Sequence, residues 1–157
     1  MIYIGQYHGK SWVSKLIQWR TWSDISHTAA WFPLPGGGWE VIEAWGGGVR
    51  RGPWLLGHTK GTRIDVYGIE ATEAQAEDFR QLMLDAVGRN YDFGAILGFA
   101  LRIRSQDPEK EFCSELVFSR LQQVGIHLLR GIESYKVHPG LIGISPLLTP
   151  LFTKYSP

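Results

Sequence analysis

At 157 residues the chain has the length of one domain, read here as 1–157, and folding buries about two-thirds of the surface the unfolded chain exposes, enough for a core without staples. Sixteen basic residues against fifteen acidic ones leave a net charge of +1, with no Lys/Arg block to track a phosphate backbone, so no nucleic-acid partner is expected. The one cysteine excludes an internal disulfide and no Cys/His cluster has structural-zinc spacing, so no metal and no other cofactor is expected and Cys113 is read as a free thiol.

In chain order, Tyr3 to Gln6 predicts a short strand. Lys10 to Trp22 predicts an amphipathic helix, with Trp12, Val13, Leu16, Ile17 and Trp19 on its apolar side and Lys15, Gln18 and Arg20 opposite. His27 to Phe32 and Trp39 to Trp45 are apolar, aromatic runs separated by Pro33-Leu34-Pro35-Gly36-Gly37-Gly38, which predicts a β-hairpin. Gly46-Gly47-Gly48 marks a further turn, and Thr62 to Ile69 alternates like a strand. Thr72-Glu73-Ala74-Gln75 matches a capping box and opens the clearest helix, which carries Ala76, Phe79, Leu82, Met83, Ala86 and Val87 and ends near Gly88. Tyr91 to Leu101 predicts a second apolar helix, too short to cross a bilayer, and Arg102 to Glu111 a polar loop. From Phe112 the positions Leu116, Val117, Leu121 and Val124 repeat with helical period, so Cys113 falls in a first helical turn. Beyond Gly125 the chain is rich in Gly and Pro and reads as irregular. The N-terminus lacks a basic head followed by a long apolar segment, so neither a signal peptide nor a transmembrane segment is expected.

A thiol at a helix start ionises more easily, because the helix N-terminus stabilises negative charge. Thiol attack on a carbonyl further needs a base and a group that orients the base. Among five histidines, His27 leads because it lies on a strand, and His8 is second. His58 and His138 stand beside Gly or Pro and read as loop residues. His127 lies about fourteen residues past Cys113, roughly 20 Å along a continuous helix, out of reach of the sulfur. A hairpin centred near Pro35 pairs residues whose numbers sum to about 70, which sets Glu43 across from His27. Glu40 then points to the other face, and a slip of one residue would exchange the two. All seven tryptophans fall in the first 54 residues. Most are expected in the core, with the rest available to line an aromatic cleft for a sugar, an acyl chain or an apolar side chain. Trp45 is the candidate substrate-contacting indole.

Four segments, Lys10 to Ile17 followed by Ser23 to Ala29, Val41 to Ala44 with Gly48-Val49, Tyr91-Asp92-Phe93 with Gly98-Phe99, and Phe112 to Val117, together resemble the circularly permuted papain-like hydrolases related to NlpC-type cell-wall peptidases. The likeness is to the YaeF/YiiX type, and more distantly to lecithin:retinol acyltransferase. The resemblance implies an α+β permuted papain-like fold, with a small antiparallel sheet or barrel bearing the histidine and a helix presenting the cysteine. It implies Cys113 as nucleophile, His27 as general base, Glu43 as the orienting residue and Tyr91 near the cleft. The expected activity is cleavage of an amide bond in a cell-wall peptide or small peptide. Its rivals are acyl transfer or acyl hydrolysis on a lipid or thioester, and a non-catalytic module such as part of a phage tail. Relatives in cell envelopes carry export signals that are not seen here, so the expected setting is the cytoplasm, or delivery by a phage particle or secretion machine.

Overall fold

The structure, a computed structural model, describes residues 1–54, 57–89 and 113–157. Six strands, β1 (Ile2–His8), β2 (His27–Pro33), β3 (Trp39–Trp45), β4 (Gly48–Pro53), β5 (Arg63–Ile69) and β6 (Thr149–Tyr155), form one antiparallel sheet in the order β4-β3-β2-β1-β5-β6. Among the described residues four α-helices accompany it: α1 (Trp12–Thr21), α2 (Glu73–Asp85), α3 (Cys113–Gln123) and the short α4 (Pro139–Gly143). The architecture is therefore α+β, a sheet packed against helices. None of the described helices is long and apolar enough to cross a membrane.

Side chains alternate across the strands, and each face of the sheet builds its own core. On one face Ile2, Ile4, Ala30, Phe32, Ile42, Ala44 and Ile69 meet Phe79 and Met83 of α2 and Leu116, Val117, Phe118 and Leu121 of α3. On the other, Tyr7, Ala29, Trp31, Val41, Ile64 and Val66 pack with Tyr3, Trp39, Trp54 and Phe152. The rings of Trp39 on β3 and Phe152 on β6 lie 5.5 Å apart. Four strand spacings separate those strands, roughly 19 Å in a flat sheet. The sheet is thus curled into a barrel-like trough with the aromatic cluster inside. Trp31 is fully buried there, its indole N–H donating to Tyr7 Oη at 3.0 Å. Gly5 permits this, since a Cβ at that position would come within 2.3 Å of the Trp31 indole.

Several expectations from the sequence hold locally. Thr72 caps α2 with its hydroxyl accepting from the Gln75 amide, and the reciprocal half of the capping box is present. Cys113 is in the first turn of α3. Others are corrected. The segment read as irregular beyond Gly125 contains α4 and the edge strand β6, whose Pro150 and exposed side chains conceal its period. The first strand begins at Ile2, and β4 follows Gly46-Gly47 as a strand in its own right. The helix and loop expected over 91–111, Tyr91 among them, lie outside the described residues.

The hairpin of β2 and β3 pairs Ala30 with Ile42 and Pro33 with Trp39, so its centre falls one residue later than expected. The reason is the turn, where Gly36, Gly37 and Gly38 all take positive φ and the Leu34 amide donates to the Gly38 carbonyl at 3.1 Å. Partner numbers move by two and face is kept. Glu43 is therefore a diagonal neighbour of His27 on the same face, not its direct partner.

Candidate active site

His27 begins β2 and Glu43 lies near the end of β3, so both project from one end of the trough. Their contact is direct: His27 Nε2 lies 2.7 Å from Glu43 Oε2, with Glu43 1% exposed. A buried carboxylate is costly unless every lone pair is used. Here Arg50, the direct partner of Glu43 across the β3–β4 ladder, donates to Oε1 through Nε at 2.9 Å and through a terminal nitrogen at 2.6 Å. The Arg50 guanidinium also covers the Trp45 ring at 4.4 Å.

Glu43 takes Nε2, which leaves Nδ1 as the ring nitrogen of His27 not engaged by that carboxylate. Cys113 arrives from the opposite side, from the N-terminal turn of α3, and lines the same cavity as His27, where the two groups shift each other's ionisation. Backbone donors of Thr28 and Ser114 also favour the charged form of the thiol. Burial by itself would raise the Cys113 thiol, but the His27 charge and these donors lower it. Burial by itself would lower His27, but the Cys113 and Glu43 charges outweigh it and raise the imidazole from 6.5 to about 10. Burial also opposes charge on Glu43, yet hydrogen bonding, from His27 foremost, holds the carboxyl far below its usual range. The three directions all favour a thiolate–imidazolium pair backed by a carboxylate.

A cavity of about 200 Å³ opens beside the sulfur, at the sheet end where β2 begins and β3 finishes. Cys113, His27 and Ser26 line it with Ala44 and Trp45 from β3, and Ser11, Val13, Ser14 and Ile17 of α1 form the facing wall. Trp45, the indole expected to contact substrate, stands edge-on to His27 with ring centroids 5.3 Å apart.

Two members of this cluster escaped the sequence reading. Arg50 was in principle visible, since a tight turn at Gly46-Gly47 sets residue 50 across from residue 43. His58 left no local signal. Its side chain is 5% exposed, stacks on Tyr7 at 4.3 Å and meets the Trp45 edge at 4.6 Å. Its Nε2 is 3.4 Å from Glu43 Oε2 and makes no hydrogen bond of good geometry. Burial pushes His58 below its ordinary value, so it is neutral at pH 7. Gly57 before it takes φ +81°, and a Cβ there would come within 2.9 Å of the Arg50 guanidinium. The chain can pass that close to Arg50 only as glycine.

The runner-up base is elsewhere. His8 has both ring nitrogens engaged, Nδ1 with Asp24 at 3.0 Å and Nε2 with Asp65 at 2.9 Å, and does not line the cavity. Glu40 faces away from His27 and pairs with Arg51 at 2.7 Å. His127 is exposed beyond α3, and His138 caps α4 by accepting from the Leu141 amide at 3.3 Å.

The α+β fold, one antiparallel six-stranded sheet packed against helices, has a counterpart among solved structures. The chain matches the metalloprotein yiiX from Escherichia coli O157:H7 with a TM-score of 0.75 at 22% identity, over 98% of this chain and 97% of that one. No protein-family model matches the sequence, and no curated protein does.

Proposed function

We propose that the chain is a cysteine hydrolase of the circularly permuted papain-like type, cleaving an amide bond in a cell-wall peptide or similar small peptide through a Cys113–His27–Glu43 triad. The observation that carries this reading is the 2.7 Å bond between His27 Nε2 and buried Glu43, which leaves the other ring nitrogen to the only thiol in the chain. The thiolate of Cys113 attacks the carbonyl carbon. The His27 imidazolium gives its Nδ1 proton to the leaving amine as the C–N bond breaks, leaving a thioester. Neutral His27 then takes a proton from water, which attacks the thioester, and the acid is released with the ion pair restored. Glu43 holds the ring in the one tautomer that serves both steps. The Cys113 backbone amide, at the helix start, is the first donor for the oxyanion.

The cavity wall of Val13, Ile17, Ala44 and Trp45 also suits an acyl chain, which supports acyl hydrolysis or transfer as a variant of the same chemistry. Incubation with peptidoglycan fragments and with acyl esters, followed by intact-mass detection of an adduct on Cys113, separates the two. An adduct from neither class, with the thiol still reactive to iodoacetamide, contradicts both.

A second reading has an observation of its own. The fold neighbour is described as a metalloprotein, and His27, Glu43 and His58 offer ligand atoms within 4.8 Å of one another, with His58 Nε2 unbonded. Two imidazoles and a carboxylate fit a zinc-type ion, so these three residues would hold it. Such a cation supplies Lewis-acid and water-activating chemistry when bound. It would draw on His27 and Glu43, the two residues the triad spends on each other. The cation-bound and thiol-active states would therefore compete. Measuring metal content beside Cys113 alkylation tests this: added zinc slows alkylation if the site is shared and leaves it unchanged otherwise.

A further inference from the structure

Helix α1 turns its tryptophans outward. Trp12, Lys15, Trp19 and Trp22 recur at spacings of three and four and share its exposed side, the indoles being 70%, 69% and 94% exposed. No residue of the helix is fully buried, and its half-buried stripe, with Val13 and Ile17, is the wall of the catalytic cavity. This reverses the amphipathic pattern expected of a surface helix, in which indoles face the core. The helix is nonetheless fixed in place. Ser11 caps it, and the Gln18 side chain donates to the Gly9 carbonyl at 3.1 Å and to the Asp24 carbonyl at 2.7 Å, pinning the approach and exit of the chain.

Trp22 adds an independent sign. It ends the helix with φ +52°, the left-handed conformation that glycine adopts freely and a bulky residue adopts at a cost. A strained backbone here presents the most exposed large hydrophobic side chain of the described residues, an indole, to solvent. The segment 10–22 also carries Lys10, Lys15 and Arg20 and no carboxylate. Indoles flanked by cations, with no acid among them, match the chemistry of an anionic bilayer surface. There the rings settle at headgroup depth and the ammonium groups meet phosphate.

We propose that the outer face of α1 is a docking surface for an anionic phospholipid bilayer, bound peripherally through Trp12, Trp19 and Trp22 and steered by Lys10 and Lys15. The docking does not depend on the chemistry at Cys113. It would set the mouth of the cavity, on the inner stripe of the same helix, beside the headgroups.

The full chain is floated with vesicles of phosphatidylcholine alone and of phosphatidylcholine with roughly a third phosphatidylglycerol. Binding to the anionic vesicles is expected, with partitioning reduced at least ~10-fold in Trp12→Ser/Trp19→Ser/Trp22→Ser. Lys10→Glu/Lys15→Glu should lose the preference for anionic over neutral lipid. Thermal unfolding serves as the folding control, and Trp19→Ser alone, expected to weaken binding in part, stands in if the triple variant does not fold. No flotation of the parent, or flotation of the triple variant equal to the parent's, overturns the proposal. So does a self-association of the parent that the triple variant abolishes without any lipid binding, which assigns the face to a second copy.

Discussion

His8 and His27 lie one residue apart in register, since His27 pairs with Tyr7 across β1 and β2, and both are gripped by carboxylates at 2.7–3.0 Å. Their surroundings separate them. The two acids of His8 occupy both its ring nitrogens, and one of them, Asp24, is 75% exposed, so water and salt screen the pair. His27 meets one acid, which is buried, and shares its cavity with a thiol. A histidine saturated by acids holds structure; a histidine held by one acid, in a dry site beside a nucleophile, has a proton to move. The same end of the sheet thus carries two imidazoles told apart by how many nitrogens the carboxylates leave open, and on the triad proposed above only His27 has a proton to move.

Substitutions sharpen this contrast, and the largest effects belong to the reactive member. Cys113→Ala removes the nucleophile and His27→Ala the proton carrier, so each should lower turnover at least ~10³-fold on whichever substrate class proves active, with circular dichroism confirming the fold. Glu43→Gln keeps the shape but removes the charge that His27 and Arg50 both need. Breaking a buried ion pair from one side costs about 3–5 kcal/mol, so Glu43→Gln should show a large fall in urea midpoint together with lost activity. Glu43→Gln should also flatten the acid branch of stability, leaving the smaller share that Asp65 contributes. The native carboxyl titrates below its unfolded value of 4.5, so its contribution is complete above that value and drains as pH falls further. The parent should lose stability steeply in that range, and Glu43→Gln should not.

His58→Gln is the intermediate case. It removes a neighbour of Glu43 and the third of the proposed cation ligands, so any zinc inhibition of alkylation should disappear while alkylation without metal persists. A His58→Gln variant still inhibited by zinc would place the metal elsewhere. The smallest effect is expected for His8→Gln, within about 1 kcal/mol in stability because its Asp24 partner is solvated, and with no change in Cys113 reactivity. Equal losses of reactivity in His8→Gln and His27→Ala would erase the distinction on which the comparison rests.

How much of this was legible follows from which interactions are local. Capping at Thr72 and the helical period after Cys113 are written within a few residues, and the structure keeps both. Glu43 was reached through strand parity, which survives a two-residue change of register; the contact came out right although the pairing did not. His58 could not be read, because its place depends on a loop folding back over β3 and on Gly57 slipping past Arg50. The tryptophans misled in part. Trp31, Trp39, Trp45 and Trp54 are buried or half-buried, as composition suggests, whereas those of α1 face outward, because the inner side of that helix is spent on the cavity. The edge strand β6 was missed for a related reason: with five of its seven residues exposed, no alternation marks it.

The pH dependence of Cys113 alkylation by iodoacetamide, in the parent and in His27→Ala, tests the central claim most directly. On the triad proposed above, the thiol proton of the folded parent resides on His27, so the rate should be high and flat across neutral pH, well below the range where an ordinary thiol of pKa about 8.5 ionises. In His27→Ala only the backbone donors still oppose burial, and the profile should move to higher pH. A parent profile that follows an ordinary thiol, or one that His27→Ala leaves in place, would contradict the account.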